Sequence, residues 1–363
     1  MKILVALLVA SSMFSQNVFA LSAKSAVLID AQVGRIIYEN NAHIISEPAS
    51  TTKIMTALLA IEKGDLEKEI KISKRASIVE GSSIWLGEGE KITLENLLYG
   101  LMLSSGNDAA LAIAEGLCGS ERKFVSLMNK RAKEMNLKQT HFENPHGLPS
   151  ENHYTTAYEL AIITKEALSN KTFSRVVSTK KKTIPWEGHT YNRCLTNHNK
   201  LLSLYEGADG IKTGYTKSAG RTLVSSATRN GVKLIAVTFG APDDWNDHKF
   251  LLDYGFERCE SKLIAPAGET VRSITIENGK KESVGCVVSE DIYAVINDDS
   301  NKFKVKYTDI PKSVEAPVSK GEVLGKGTLY YNGKKIKQVD LVAFESVSEK
   351  PPLSIWQKIK MFF

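Results

Sequence analysis

The sequence predicts an α+β fold: an antiparallel sheet flanked by helices and interrupted by a helical insertion, followed by a small all-β domain. The first observation is that strand-like alternation lies near both ends of residues 21–260, with helical spacing between them. The second is that short β-branched runs alternate with turn dipeptides after about residue 262. The third is the length of 363 residues, which is typical of two or three domains.

Composition and charge exclude several classes of protein. With 42% hydrophobic and 24% charged residues, the chain is unlike disordered, collagenous or polytopic membrane proteins. The formal net charge of +6 comes from basic residues that are spread along the chain without a dense block. No nucleic acid partner is therefore expected.

The N-terminus is predicted to be a signal peptide over residues 1–20. Lys2 precedes an apolar run over residues 3–10, and Val18 and Ala20 stand at the -3 and -1 positions of the cleavage site. The apolar run is too short to span a bilayer, so we expect export and a mature chain that begins after Ala20.

The C-terminus is predicted to be an amphipathic tail over residues 348–363. Pro351-Pro352 breaks the chain, and one stripe of a helix would then carry Ile355, Trp356, Ile359, Phe362 and Phe363 beside Lys358 and Lys360. Ten residues of helix reach only about 15 Å, so the segment would lie in the interface of a membrane without crossing it. A helix that docks on the protein itself is the alternative.

The four cysteines give no sign of a metal or redox site. They lie far apart and form no C-x-x-C pair: Cys118, Cys194, Cys259 and Cys286. Free thiols and a single disulfide bridge are both compatible with the sequence.

The first predicted elements are a β-hairpin and a helix. Residues 22–45 alternate around a turn at Gln32-Val33-Gly34, which predicts two paired strands. Residues 50–63 change to helical spacing, and Gly64 is the expected stop.

The helical insertion follows, with several helices over residues 93–135 and another over 155–170. Thr93 and Asp108 are the expected N-caps, because short polar side chains there can accept a backbone N–H.

Strands return over residues 205–240, with a turn at Arg229-Asn230-Gly231, and a helix is predicted over 244–254. Strands at both ends of the first domain indicate one sheet assembled from both ends. The second domain is predicted over 261–347, where Asn332-Gly333 is a strong hairpin signal.

Ser50 and Lys53 form a candidate catalytic pair at the start of the first helix. Three residues make nearly one turn, so the hydroxyl and the amine share a face. A hydroxyl needs a base to remove its proton, and a lysine can serve where burial and nearby positive charge lower its pKa. The same spacing recurs at Ser120 and Ser178, where we expect N-cap serines and solvated lysines.

Two tripeptides distinguish the first occurrence from the others. Ser105-Gly106-Asn107 lies 55 residues after Ser50, between two predicted helices, and Lys212-Thr213-Gly214 lies 107 residues further on. The second tripeptide falls on a predicted strand, where its glycine would let a substrate backbone pair with the edge. The Lys and Thr side chains of this tripeptide could bind a carboxylate. One tripeptide alone is typical of a turn, whereas three motifs in this order favour an active site.

These motifs resemble those of the serine-active penicillin-recognising enzymes. The surrounding sequence is similar to the D-alanyl-D-alanine carboxypeptidases, the low-molecular-mass penicillin-binding proteins, over residues 24–258. The likeness is strong over residues 48–56, 144–149 and 209–216. It implies a β-lactamase/transpeptidase-like first domain, with the small β domain and the amphipathic tail of the family's usual layout. It also implies a place at the outer face of the bacterial cytoplasmic membrane.

The resemblance implies a role for each catalytic residue. Ser50 would attack the carbonyl between two D-alanines of a peptidoglycan stem peptide, with Lys53 as its base. Ser105 would relay a proton to the departing D-alanine, and Asn107 would hold Lys53 and the substrate amide.

The resemblance also implies how substrate binds. Lys212 would keep the pocket positive, and Thr213 would bind the terminal carboxylate beside Gly214. The backbone N–H groups of Ser50 and Tyr215 would form the oxyanion hole. Water would hydrolyse the acyl-enzyme, β-lactams would acylate the same serine, and no metal or organic cofactor would be needed.

One departure from the family leaves substrate selectivity open. Some relatives hold the substrate carboxylate with an arginine beyond the last core strand, whereas residues 241–248 are acidic here and contain none. Arg221 is a candidate replacement that the sequence does not establish. His146, in the 144–149 loop, is expected to be a structural hydrogen-bonding residue and not a catalyst.

Two other functions of the same fold fit the sequence less well than a carboxypeptidase. A β-lactamase needs fast deacylation, and Gly106, where such enzymes often carry Asp, argues against it together with the added β domain. A non-catalytic wall-binding protein is disfavoured because every motif side chain is intact. Endopeptidase and transpeptidase activity, the growth stage and the oligomeric state stay open.

Overall fold

The structure is a computed structural model that describes residues 21–352. The predicted signal peptide and the apolar stripe of the predicted tail lie outside the described residues.

The described chain follows the predicted order of strands, a mainly helical insertion, strands again and a final β domain, with short strands among the helices that the sequence did not predict. The strands are β1 (Ser25–Asp30), β2 (Ile36–Asn40), β3 (Glu69–Lys71), β4 (Lys91–Thr93), β5 (Lys181–Ile184), β6 (Arg193–Thr196), β7 (Ala208–Thr216), β8 (Gly220–Arg229), β9 (Val232–Phe239), β10 (Glu260–Ala265), β11 (Thr270–Glu277), β12 (Ser283–Val288), β13 (Ile292–Ile296), β14 (Phe303–Thr308), β15 (Ser313–Glu315), β16 (Val323–Tyr331) and β17 (Lys334–Ala343). The helices are α1 (Lys53–Lys63), α2 (Lys74–Ser77), α3 (Leu94–Leu103), α4 (Asn107–Cys118), α5 (Glu121–Glu134), α6 (Ala157–Leu168), α7 (Lys171–Ser178), α8 (Leu201–Leu204) and α9 (Asp244–Phe256), with 3-10 turns at Ala49–Thr52 and Ser300–Lys302.

The central sheet is antiparallel, with the strand order β2-β1-β9-β8-β7. It joins strands from both ends of the first domain, as the sequence predicted. Strand β1 is buried along its whole length, and its side chains alternate between two cores. Val27 and Ile29 pack in the core that contains the helical insertion, whereas Ala26 and Leu28 pack in the core that contains α9. Strand β7, which carries Lys212-Thr213-Gly214, lies at the edge of this sheet.

Thr93 caps α3 as predicted, since its hydroxyl accepts the backbone N–H of Asn96 at 3.3 Å. The predicted N-cap at Asp108 is wrong, because α4 begins at Asn107 with Gly106 as its N-cap. Asp108 lies inside the first turn, where its buried carboxylate accepts hydrogen bonds from the loop before β4.

The two other Ser-x-x-Lys sites have different structural roles. Ser120 caps α5 by accepting the N–H of Lys123, as predicted. The N-cap predicted at Ser178 is wrong, because this residue ends α7 and its hydroxyl donates to the carbonyl of Arg175.

The predicted all-β domain is present, with a mainly antiparallel sheet of order β14-β16-β17-β12-β11-β15 and a separate pair, β10-β13. Asn332-Gly333 connects β16 and β17 with φ angles of 46° and 78°, as a type I′ turn requires. Buried apolar side chains, among them Ile274, Leu329 and Leu341, form a core of its own.

The turn between β1 and β2 connects the two domains. The Gln32 side chain accepts the N–H of Val295 at 2.8 Å and donates to the carbonyl of Tyr293 at 2.9 Å. Arg35 from the same turn forms an ion pair with Asp299.

All four cysteines are free, so the bridge that the sequence left open is absent. Within residues 21–352, no helix is long and apolar enough to cross a membrane.

Candidate active site

Ser50 and Lys53 lie together at the entrance to α1. Ser50 belongs to the 3-10 turn Ala49–Thr52 and not to the α-helix itself, which begins at Lys53. A 3-10 turn has three residues per turn, so positions 50 and 53 lie directly above one another. The Lys53 Nζ atom is 2.9 Å from the Ser50 Oγ atom.

Lys53 is fully buried, and its amine is held from three directions. Besides Ser50, the Nζ atom contacts Asn107 Oδ1 at 2.7 Å and the His146 carbonyl oxygen at 2.7 Å. A neutral amine has two N–H bonds and one lone pair. The amide and carbonyl oxygens can only accept, so they take both N–H bonds and leave the lone pair for the Ser50 hydroxyl proton.

The surroundings of Lys53 favour this neutral form. Burial lowers the pKa of Lys53 well below its usual value of 10.5, and the neighbouring Lys212 lowers it further, whereas Asp108 acts in the opposite direction. Burial and nearby positive charge are the two conditions under which a lysine can act as a base.

The connection between α3 and α4 positions Ser105 and Asn107. Ser105 is almost buried and has a φ of 60°, so the chain turns sharply before α4. The Asn107 side-chain amide donates to the Glu80 carbonyl at 2.6 Å, which directs its oxygen toward Lys53. The Asn107 backbone N–H donates to the Ser82 carbonyl at 2.7 Å.

The 144–149 loop closes the other side of the pair. Burial is the largest of the causes that lower the pKa of His146 to about 3, so its ring is neutral and accepts the Leu148 N–H. His146 is thus a hydrogen-bonding residue, as predicted, but its carbonyl contact with Lys53 has no sequence signal. Gly147 has a φ of 89°, and a Cβ there would lie 1.8 Å from the Ala49 carbonyl oxygen. Only glycine allows this approach.

The edge strand β7 brings the third motif against the same turn. A Cβ at Gly214 would lie 3.1 Å from the Ser50 backbone nitrogen, so the bare strand edge faces the nucleophile. Lys212 is buried, its amine donates to the Thr213 carbonyl at 3.0 Å, and burial lowers its pKa to about 7. The Tyr215 side chain is 66% exposed, which suits a role through its backbone N–H.

A cleft of about 650 Å³ opens onto this arrangement. Among the predicted site residues, its walls include Ser50, Ser105, Thr213, Gly214 and Tyr215. The other three predicted residues, Lys53, Asn107 and Lys212, are buried behind the wall.

The cleft also contains residues that the motifs did not reveal: Ser82, His198, Lys200, Asp244 and Trp245. Arg221 reaches it because β8 pairs with β7 so that Arg221 lies opposite Tyr215. Its guanidinium is 3.5 Å from the Asp244 carboxylate and half exposed. The hairpin pattern of β7 and β8 is the sequence signal that could have placed it.

A serine hydroxyl beside a buried lysine with a lowered pKa, at the edge of an antiparallel sheet, is typical of serine hydrolases that use a lysine base. The chain belongs to the D-alanyl-D-alanine carboxypeptidase family, whose sequence model matches residues 11–243. A second model, the C-terminal domain of penicillin-binding protein 5, matches residues 260–349.

Individual relatives agree with this assignment. The chain is 36% identical to the D-alanyl-D-alanine carboxypeptidase DacF of Bacillus subtilis, covering 93% of this chain and 91% of DacF. It resembles the crystal structure of penicillin binding protein 5 from Haemophilus influenzae with a TM-score of 0.64 and 31% identity, over 91% and 98% of the two chains. A Streptomyces DD-transpeptidase mutant matches with a TM-score of 0.63 and 32% identity, over 66% of this chain and 99% of its own.

We expect Gly147→Ala to slow acylation of the enzyme by a fluorescent penicillin at least roughly tenfold. The added methyl group overlaps the Ala49 carbonyl, so the loop must move and the His146 carbonyl releases Lys53. Stopped-flow fluorescence with a fluorescent penicillin measures the rate.

Gly119→Ala is the matched control, because Gly119 also has a positive φ of 73° but no atom lies within 4 Å of the position of its Cβ. This variant should lose about 1 kcal/mol of stability and keep its acylation rate. Equal losses of rate in the two variants would contradict the role of the loop.

Proposed function

We propose that this chain is a serine-type D-Ala-D-Ala carboxypeptidase that removes the terminal D-alanine of peptidoglycan stem peptides through an acyl-enzyme on Ser50. The observation that carries the proposal is the contact between the Ser50 hydroxyl and an amine whose other partners are two fixed acceptors. Burial lowers the pKa of Lys53. The buried Lys212 and the edge of β7 complete a site for a peptide terminus that carries a carboxylate.

The acylation half-reaction begins with proton transfer. Lys53 takes the proton of the Ser50 hydroxyl as Oγ attacks the carbonyl carbon between the two D-alanines. The oxyanion receives hydrogen bonds from the backbone N–H groups of Ser50 and Tyr215. The C–N bond then breaks as Ser105 passes its proton to the nitrogen of the departing D-alanine and receives the proton that Lys53 took from Ser50. This leaves an ester on Ser50 and returns Lys53 to its neutral form.

The second half-reaction is hydrolysis. Water gives a proton to Lys53 and attacks the ester, and the proton returns to Ser50 as the shortened peptide leaves. Thr213 binds the substrate's terminal carboxylate during acylation, and Lys212, buried behind it, keeps the pocket positive. A β-lactam acylates the same serine, but its amide nitrogen stays tethered to the acyl group after the ring opens.

A defined muropeptide with a pentapeptide stem tests this activity directly. Mass analysis should find the tetrapeptide stem and free D-alanine in equal amounts. A cross-linked dimer as the main product would contradict hydrolysis.

The proposal extends to the place of action, which is the outer face of the bacterial cytoplasmic membrane. The signal peptide pattern of residues 1–20 supports export, and the amphipathic pattern of residues 348–363 supports attachment to the membrane surface.

Ser50 should be the sole acylation site. Intact-protein mass spectrometry with benzylpenicillin should show one adduct on the wild type and none on Ser50→Ala, because Ser120 and Ser178 have no buried lysine beside them. An adduct that survives in the variant, or that maps to either of these serines, would contradict the assignment.

Arginine substitutions should separate the roles of the two buried lysines. Lys53→Arg removes a usable base because guanidinium stays protonated, which should slow acylation by ~10²–10⁴. Lys212→Arg keeps the positive charge and should lose less. Stopped-flow acylation rates of the two variants measure this difference, and an equal or milder loss at Lys53 would refute it.

The pH profile gives these variants a second readout. The pKa of Lys212 is lowered to about 7, so this lysine is charged below that pH and loses its charge as pH rises through it. The kcat/KM for a soluble D-Ala-D-Ala peptide should therefore fall above about pH 7 in the wild type. Lys212→Arg should lack this alkaline decline because its charge persists.

Truncation after Lys350 should release the protein from liposomes and leave hydrolysis of a soluble peptide nearly unchanged. Each large apolar side chain of the predicted stripe gains about 1.5–3 kcal/mol on full burial, and Lys358 and Lys360 add a salt-sensitive attraction to anionic lipid. Liposome pelleting and peptide assays measure the two effects. Pelleting of the truncated enzyme at wild-type levels would show that the tail is not the anchor. A collapse of activity would instead favour a helix docked on the protein.

A further inference from the structure

Two loops of the first domain carry a group of aromatic side chains. Trp85 lies in the loop before β4, and Trp186, His189 and Tyr191 lie in the turn between β5 and β6. The ring centroids are 4.3 Å apart for Trp186 and His189 and 5.5 Å apart for Trp186 and Tyr191. We refer to these four residues as the aromatic cluster.

The aromatic cluster is open to solvent. The Trp85 side chain is 75% exposed, and that of Tyr191 is 60% exposed. Burial of such rings would stabilise the fold, so core packing does not explain these positions. Grouped exposed rings mark a contact surface.

The backbone holds Trp85 outward in a strained conformation. Its φ is 63°, an unfavourable value for a bulky residue. The buried Asp108 carboxylate accepts the N–H groups of Ile84 and Leu86 at 3.0 and 3.2 Å, on both sides of Trp85. Strain of this kind persists where the surroundings impose it, and it is concentrated at functional sites.

Arg193 connects the two loops of the cluster. Its guanidinium donates to the Trp85 carbonyl at 3.1 Å and lies 4.5 Å from the ring centroid of Trp186. It also pairs with the buried Glu90 carboxylate at 2.9 Å. Arg193 therefore connects the backbone of the Trp85 loop to the Trp186 ring of the other loop.

The loop that carries Trp85 begins at the catalytic cleft. Ser82 lines the cleft and accepts the Asn107 N–H, and Trp85 follows three residues later. Asp108, which anchors this loop, is the residue next to Asn107. The loop therefore connects a residue of the cleft wall to Trp85.

We propose that the aromatic cluster binds the glycan strand to which the stem peptide is attached, an inference that rests on the proposed function. Aromatic faces carry partial negative charge and pack against the C–H faces of pyranose rings, whereas the Trp N–H and Tyr O–H groups can bond sugar substituents. The exposed Glu88 and Glu187 on the same two loops disfavour an anionic bilayer as the partner.

Binding to glycan strands that an amidase has stripped of stem peptides tests the proposal. Isothermal titration should show binding by the wild type, roughly tenfold weaker binding by Trp85→Ala and by Tyr191→Ala, and near-normal binding by Trp85→Phe. Phe344→Ala is the matched control, because Phe344 is 58% exposed but lies beyond β17 in the second domain.

Activity provides the second arm of the test. Both alanine variants should keep the wild-type kcat/KM for a soluble pentapeptide and the wild-type rate of penicillin acylation, which shows that they are folded. For a pentapeptide attached to glycan, they should raise KM and leave kcat unchanged.

Three results overturn the proposal. The first is no glycan binding by the wild type, and the second is unchanged glycan binding in both alanine variants. The third is that the alanine variants lose binding to anionic vesicles but keep their binding to glycan. Failure of the proposed function is a separate result. It appears as no D-alanine release from the soluble pentapeptide, which the glycan titration does not use.

Discussion

The buried amine of Lys53 is the interaction on which the rest of the site depends. An amine removed from water needs compensating partners, and those of Lys53 come from three distant parts of the chain: the 3-10 turn, the start of α4 and the 144–149 loop. Because the two fixed acceptors take its N–H bonds, the lone pair is directed at Ser50 Oγ. The packing that buries the amine also lowers its pKa, so the same contacts position the amine and favour its neutral form.

Close backbone approaches make this arrangement possible. Gly147 lets the loop rest on the Ala49 carbonyl, and Gly214 lets the edge of β7 lie beside the Ser50 nitrogen. Asp108 adds a longer-range link, since the residue next to Asn107 also anchors the loop that carries Trp85. The catalytic pair, the strand that receives the substrate and the proposed glycan surface therefore belong to one connected set of contacts.

The sequence predicts those features that depend on local spacing. The pairing of Ser50 with Lys53 follows from a three-residue interval, and the hairpin at Asn332-Gly333 follows from turn chemistry. The sheet built from both ends of the first domain follows from hydrophobic alternation. The family resemblance is confirmed by the match of the family's sequence model.

Features that depend on tertiary packing are the ones that sequence reasoning missed. Asp is a residue type that is common at N-caps, yet the Asp108 carboxylate accepts backbone hydrogen bonds from a loop more than twenty residues earlier in the chain. The carbonyl of His146 holds Lys53, and a backbone atom has no sequence signature. Lys200 and His198 line the cleft although no sequence motif marks them. The cysteines are free because of their distances in the fold, which their spacing along the sequence does not reveal.

The most direct test of the central claim is the protonation state of Lys53 itself. Lysine labelled with ¹³C and ¹⁵N can be titrated by NMR in the wild-type enzyme, with the Lys53 resonance assigned by its loss in Lys53→Arg. We predict that Lys53 titrates well below 10.5, so that its amine is neutral at the pH of catalysis. A Lys53 resonance that titrates near 10.5 would contradict the role of Lys53 as the base, because a charged amine has no lone pair to offer the Ser50 proton.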